Sequence, residues 1–282
     1  MAKTYLITGA TSGIGKMTAI AAAKADAKNV VIFNARNLAK GEEVRKEITA
    51  ETGNENIFCF EGDFESLASV KKFAENVAEK FPVIDVLLNN AGTWEMQFKE
   101  SKDGFECNFA VNHIAPFLLT LLLLPALQKS ASGRIINTSS GAHRRNILQF
   151  DDLEFRKGTY NGFFSYSQSK LCNLLFSLQL EKELQKQNVQ NITVNSLHPG
   201  LVKTALFDKM NKDELALFGS FVTPEEGAMT SIFLTLSDTV EGISGKYWHK
   251  HTPAETSPLA SNEVAAQKLW DESMHRVGKF LA

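Results

Sequence analysis

The chain has 282 residues, with 30 lysines and arginines against 32 aspartates and glutamates and a formal net charge of −2, so it carries no basic footprint for nucleic acid. A hydrophobic fraction of 44% beside 22% charged residues fits a folded globular protein with a sizeable core and excludes disorder. Three cysteines, Cys59, Cys107 and Cys172, are too few and too scattered for a disulfide framework or a metal cluster; buried free thiols and no metal are expected.

The first strand-like run, residues 4–8, passes into Thr8-Gly9-Ala10-Thr11-Ser12-Gly13-Ile14-Gly15, so a strand turns through glycines into a helix. Gly9 permits the tight turn, Gly13 lets the backbone approach a ligand, and Gly15 lets the helix pack close to the strand. The helix start presents unpaired N–H groups and a partial positive charge, which suits a dinucleotide pyrophosphate. Gly9, Thr11, Ser12, Gly13, Ile14 and Gly15 are the residues expected to hold it; a turn that only joins strand to helix is the plainer alternative. The run begins within a few residues of Met1, which leaves no room for a signal or transit peptide, and a cytoplasmic location is expected.

Further strand-like runs at 29–34, 56–61, 84–88, 133–138, 191–196 and 243–248 alternate with helical patterns, such as Leu67, Val70, Phe73, Ala74 and Val77. The alternation predicts one α/β domain over residues 1–282, a doubly wound dinucleotide-binding (Rossmann) fold. Its parallel sheet has about seven strands in the order 3-2-1-4-5-6-7, with helices on both faces. In such a fold a carboxylate about 20 residues beyond the glycine turn takes the ribose 2′-hydroxyl of NAD. Here the second strand ends in Phe33-Asn34-Ala35-Arg36, without a carboxylate, and a guanidinium at Arg36 suits a 2′-phosphate. NADP(H) is therefore the expected cofactor, against the alternative that Arg36 is a solvated loop charge. The apolar run Ile114 to Leu127 holds Pro116, Thr120 and Pro125 and falls short of the roughly 20 residues of a membrane span, so it reads as a buried or interface helix.

The fifth run, Gly133 to Thr138, ends in Ser139-Ser140 at the edge where open α/β sheets place ligands. Ser140 is placed to hold a carbonyl oxygen, with Ser139 its close competitor. Beyond it, Tyr166 and Lys170 stand four residues apart on one helix face. A free phenol has a pKa near 10; a neighbouring ammonium is expected to lower it and let Tyr166 exchange a proton with a substrate oxygen. After the sixth run, residues 201–222 carry Leu206, Phe207, Met210, Leu215, Leu217, Phe218 and Phe221, which reads as a greasy lid. Trp94, Met96, Phe163 and Phe164 are expected in the same cavity, so a lipophilic carbonyl or alcohol is the expected substrate; packing of these residues into the core or a subunit interface is the plainer alternative. A last amphipathic stretch from about Asn262 to Gly278, with Val264, Leu269 and Trp270 on its apolar side, reads as a capping helix.

These motifs, together with Asp63, Asn89-Asn90-Ala91-Gly92, Asn112 and His198-Pro199-Gly200 in the same order, resemble the short-chain dehydrogenase/reductase family along nearly the whole chain. The segments Arg134 to His143, Phe150 to Leu153 and Ser169 to Leu171 look most like its retinol dehydrogenase-like, NADP-dependent branch. The resemblance implies an oxidoreductase in which Asp63 accepts from the adenine amino group and Asn90, Ala91 and Gly92 wall the adenosine ribose. It further implies that Asn112 holds a water on Lys170 as a proton relay and that Lys170 binds the nicotinamide ribose. Pro199, Gly200, Val202 and Thr204 would hold the carboxamide. A homodimer through the helices around 114–127 and 166–180 is a further expectation. A scaffold that binds NADP(H) without turnover and regulates a protein partner is the competing reading, although it has no use for an activated phenol. A sugar-nucleotide epimerase would need a longer substrate domain, and a methyltransferase has no use for Tyr166 and Lys170.

Overall fold

In the computed structural model, which describes every residue except Met1, Lys209, Leu217 and Ala282, the short apolar runs become strands. Leu217, expected in the lid, thus lies outside the described residues. The strands are β1 Thr4–Ile7, β2 Val30–Ala35, β3 Ile57–Glu61, β4 Val86–Asn89, β5 Gly133–Thr138, β6 Ile192–Leu197, β7 Tyr247–His249 and β8 Thr252–Pro253. They form one sheet in the order β3-β2-β1-β4-β5-β6-β7-β8. All neighbours from β3 to β7 are parallel, which is the doubly wound order expected, and one antiparallel strand is added at the edge.

That extra strand follows a two-residue turn in which Lys250 (φ 48°) and His251 (φ 65°) both take left-handed backbone, the geometry of a type I′ hairpin. Neither residue belongs to the Asn-Gly or Asp-Gly pairs that announce such a turn, so the sequence concealed it. Pro253 is tolerated because β8 is an edge. The seventh strand is also shorter than the expected 243–248. Ser244 Oγ accepts from the Val194 N–H (2.9 Å) and the Gly245 N–H donates to the Val194 carbonyl (2.8 Å), so these residues turn against β6 instead of extending β7.

In chain order the helices are α1 Gly13–Ala25, α2 Leu38–Thr52, α3 Leu67–Lys80, α4 Cys107–Phe109, α5 Ala115–Leu127, α6 Gly162–Lys186, α7 Lys212–Ala216, α8 Pro224–Leu236 and α9 Glu263–Leu281. Successive strand side chains point to opposite faces. Accordingly Leu6, Ile32, Leu87 and Ile135 join a core with α3, α5, α6 and α9, while Ile7, Val31, Phe33, Leu88 and Ile136 join a second core with α1, α2 and α8. From Cys107 to Leu127 the chain is helical for 21 residues with mean hydropathy 1.8, long and apolar enough to cross a membrane on those two counts. The span exceeds the run read from the sequence because buried Asn112 and His113 lie within it. Of its apolar window 78% is buried in the fold, as expected of a core helix. In α9, Leu269 is buried and Trp270 packs on Phe117 and Phe176, but Val264, expected on the apolar side, is 79% exposed. Cys107 and Cys172 are buried and Cys59 half-buried, all as free thiols.

Candidate active site

The turns that leave β1, β4, β5 and β6 all emerge at the carboxyl edge of the sheet and line one cleft of about 790 Å³. At its first end Gly9 has φ +69°, and a Cβ there would lie 2.8 Å from the Ala91 backbone. Behind it, a Cβ on Gly15 would meet Asn90 Nδ2 at 2.5 Å, so Gly15 packs the helix against the β4 loop and does not itself line the cleft. Thr8 locks the two loops: its Oγ1 accepts from the N–H groups of Asn90 and Ala91, each at 2.9 Å. Ser12 is the N-cap of α1, yet its hydroxyl makes no capping bond, whereas Asn37, Ser66 and Asn161 cap their helices. The first-turn donors of α1 therefore face the cleft beside Thr11, Gly13 and Ile14.

At the end of β2, where a carboxylate was missing, Asn34 is consumed by structure. Its Oδ1 accepts from the Gly9 N–H and its Nδ2 donates to the Gly62 carbonyl, both at 2.9 Å. Sequence reasoning missed this role, which links residues 25 and 28 positions apart. Arg36 lines the cleft with a side chain 73% exposed, its guanidinium 3.7 Å from Glu65. Asp63 pairs with Lys102 at 2.8 Å. Burial works against its charge, but Lys102, the Glu65 N–H and Arg36 outweigh it and hold the carboxyl below its usual range.

Ser140, Tyr166 and Lys170 come together in the cleft, with Ser140 hydrogen-bonded to Tyr166. Lys170 Nζ lies 5.6 Å from the centre of the Tyr166 ring and donates to the Thr138 carbonyl at 3.3 Å. Ser139, the competitor, is turned away: its hydroxyl donates to the Lys170 carbonyl at 2.7 Å. The expectation that the lysine depresses the tyrosine is corrected. Burial pushes Tyr166 up to about 12, only partly offset by a hydrogen bond with Ser140, and burial takes Lys170 down to about 8. Desolvation is the largest influence on both groups.

Asn112 sits behind this group, outside the cleft lining, in a π-helical turn over Ala110–Ile114. Pro116 has no N–H to give the Asn112 carbonyl, so the ladder slips to wider bonds, such as Ala115 N–H to the Ala110 carbonyl. The amide of Asn112 donates to the Thr93 carbonyl (3.0 Å) and Ser169 Oγ (2.9 Å), and its oxygen accepts from the Thr93 N–H (2.8 Å). One lone pair of that oxygen remains, and a Cβ on Gly92 would lie 3.1 Å from the oxygen and 3.4 Å from Lys170 Nζ, so the two atoms border the same small space.

The far end of the cleft is aromatic. Trp94 stacks on Tyr166 with ring centres 4.0 Å apart and planes 8° from parallel, held by its N–H to the Gly162 carbonyl at 3.0 Å. Phe163, Phe207 and Phe218 meet Trp94 edge-on. Leu206, Met210, Leu215 and Phe221 join the same cluster, and a Val202–Val222 bridge closes the base of the segment. Met96 packs behind the cluster without lining the cleft, and Phe164, expected inside, is 40% exposed on the surface. Pro199, Gly200, Val202 and Thr204 line the cleft between the two ends. His198, which the sequence marked only as part of a motif, has a structural task. Its Nδ1 accepts from the N–H groups of both Gly141 and Gly200 at 3.2 Å, tying the Ser140 loop to the Gly200 loop. Burial, then His249, pushes it down to about 4, so it stays neutral and able to accept.

The sequence pattern of the short chain dehydrogenases matches residues 3–215. The chain belongs to that family. Short-chain dehydrogenases are oxidoreductases that use nicotinamide cofactors. This one is 41% identical to human retinol dehydrogenase 14, over 98% of the chain and 86% of the relative. Among solved structures it resembles an uncharacterised Mycobacterium paratuberculosis protein (28% identity, TM-score 0.79, covering 98% of this chain and 93% of that one). A Shigella flexneri short-chain dehydrogenase in complex with NADP aligns at 25% identity and TM-score 0.66, over 87% of this chain and 95% of that one. The likeness to retinol dehydrogenases overturns the expected cytoplasmic location: retinol, for which those relatives are named, is an alcohol that dissolves in membranes, not in water.

Proposed function

We propose that this short-chain dehydrogenase is an NADP(H)-dependent carbonyl reductase or alcohol dehydrogenase for a hydrophobic small molecule, working as one domain with a lid over residues 201–222. The observation that carries the reading is the meeting of Ser140, Tyr166 and buried Lys170 where the polar and aromatic halves of one cleft join. The residues present fit the cofactor. The open first turn of α1 suits its pyrophosphate, with Gly9, Thr11, Ser12, Gly13 and Ile14 around it and Gly15 packed behind. Exposed Arg36 suits the 2′-phosphate, Asp63 the adenine, and Asn90, Ala91 and Gly92 the adenosine ribose. Lys170 then takes the second ribose, and Pro199, Gly200, Val202 and Thr204 the carboxamide. When bound, the cofactor gives up or accepts the hydride.

The chain's own part is proton chemistry and positioning. At neutral pH the Tyr166 phenol is protonated, the state that reduction needs. Ser140 orients the substrate oxygen, and Tyr166 gives that oxygen its proton as negative charge builds there, then recovers one when the reaction runs in reverse. Lys170 stabilises the phenolate left behind, and the free lone pair of Asn112 holds a water next to it for reprotonation. The lid keeps other water out.

The test is NADPH consumption by the purified protein across aliphatic, aromatic, steroid and retinoid carbonyls. Turnover that falls at least ~100-fold in Tyr166→Phe while NADPH still binds supports the enzyme; saturable NADPH binding with no turnover on any carbonyl favours a cofactor-sensing scaffold instead.

A further inference from the structure

The short turn Gly141–Arg145 begins at Ser140 and ends in two arginines, Arg144 and Arg145, whose side chains line the same cleft as the reacting group. At ~2 Å of rise per residue, their backbones stand roughly 8–10 Å from Ser140. Arg144 is fixed without being neutralised: its guanidinium donates to the Glu255 carbonyl at 2.5 Å, and its charge is felt by His143, His198 and Tyr247. Among the described residues Arg145 has neither a hydrogen bond nor an ion pair. Among the described residues the only carboxylates lining the cleft are Asp63 and Glu65, beside Arg36 and each paired with a lysine. Among the described residues the cleft thus combines an aromatic wall with two exposed, unpaired cations on the Ser140 turn and no acid on that turn.

We infer that the substrate is amphipathic: an aliphatic aldehyde or ketone, or the matching alcohol, that carries a carboxylate on the order of 10 Å from the reacting carbon, within reach of the Arg144 and Arg145 guanidinium groups. This rests on the oxidoreductase reading and narrows it. A purely apolar substrate would leave both guanidinium groups unused at the mouth of its own site. A carboxylate there gains charge-assisted, forked hydrogen bonds, while the chain between lies along Phe163, Phe207 and Phe218.

The test compares 10-oxodecanoate with decanal, equal in carbon count and differing in the terminal carboxylate. With NADPH at low ionic strength, the wild-type protein is expected to show kcat/KM about tenfold higher for the acid, mostly through KM. The ratio should approach one in the Arg144→Gln/Arg145→Gln variant and shrink as salt is raised. A second arm needs no turnover: decanoate binding to the NADPH complex, read by tryptophan fluorescence, should weaken about tenfold in the double variant. Turnover of both aldehydes at equal kcat/KM, or a preference for the acid that survives the double substitution, overturns the carboxylate site while leaving the reductase standing. Arginine-dependent decanoate binding without turnover of either aldehyde supports the site and counts against the reductase.

Discussion

Lys170 is buried with its Nζ on the Thr138 carbonyl, and burial takes it from the ordinary 10.5 down to about 8. A lowered lysine pKa means that the folded chain resists the charge. The penalty is complete below about pH 8, where folded and unfolded chains are both protonated, and it fades as pH rises to 10.5. Lys170→Met is therefore expected to abolish turnover and yet raise Tm at pH 7, by about 2–4 °C for each kcal/mol relieved. Calorimetry from pH 7 to 10.5 should show the gap from wild type closing; a constant gap would trace the gain to packing alone. Arg36 belongs to the same scale. Arg36→Ala should weaken NADPH binding about tenfold and leave NADH nearly untouched, as measured by titration, and an unchanged preference for NADPH would remove Arg36 from the 2′-phosphate. The guanidinium was visible in the sequence because its place is local to β2. Asn34, two positions earlier, was not, since its partners Gly9 and Gly62 are brought to it only by the fold.

Elements show a similar divide. The strand-turn-helix of β1 and α1 is legible because spacing and chemistry lie within a dozen residues, and the structure adds the reason Gly15 cannot change: Asn90 Nδ2 and the Gly9 carbonyl occupy the space at 2.5 and 2.6 Å. Gly15→Ala must push the β4 loop off the turn, costing about 1–3 kcal/mol in denaturant unfolding. The π turn was illegible as such. Asn112 and Pro116 were both seen, but the slip to a wider helix depends on which carbonyl loses its donor. The proposed lid was read from greasy residues alone, without the Trp94–Tyr166 stack against which its Phe207 and Phe218 pack. Because Phe218 meets both Trp94 and Phe207, Phe218→Ala should lower kcat/KM for aliphatic aldehydes about tenfold, the worth of one buried aromatic contact. An unchanged kcat/KM would assign the cluster to stability and not to substrate.

At the scale of the molecule, the doubly wound sheet could be read because a parallel strand covered on both faces has to be apolar, and that pattern survives in one dimension. What joins the far parts of the chain could not. The C-terminal helix α9 looked like a cap, yet it reaches the reacting group's support. The Ser273 hydroxyl donates to the Leu269 carbonyl at 2.7 Å, so its oxygen is left to accept, and His113 Nε2 lies 2.8 Å away. That bond spans 160 positions and lands in the π turn next to Asn112. Burial pushes His113 down to about 3, so the ring is neutral and Nε2 carries its proton as the donor. Ser273→Ala removes the acceptor and leaves that N–H buried without a partner, a loss of about 1–3 kcal/mol. If α9 only caps the fold, stability falls and kcat for a good aldehyde stays put. If α9 also sets the π turn, kcat falls with stability while KM holds, because Asn112 and Lys170 lose registry and the aromatic wall does not. The second outcome is expected, and steady-state kinetics on the variant well below its Tm decides between them.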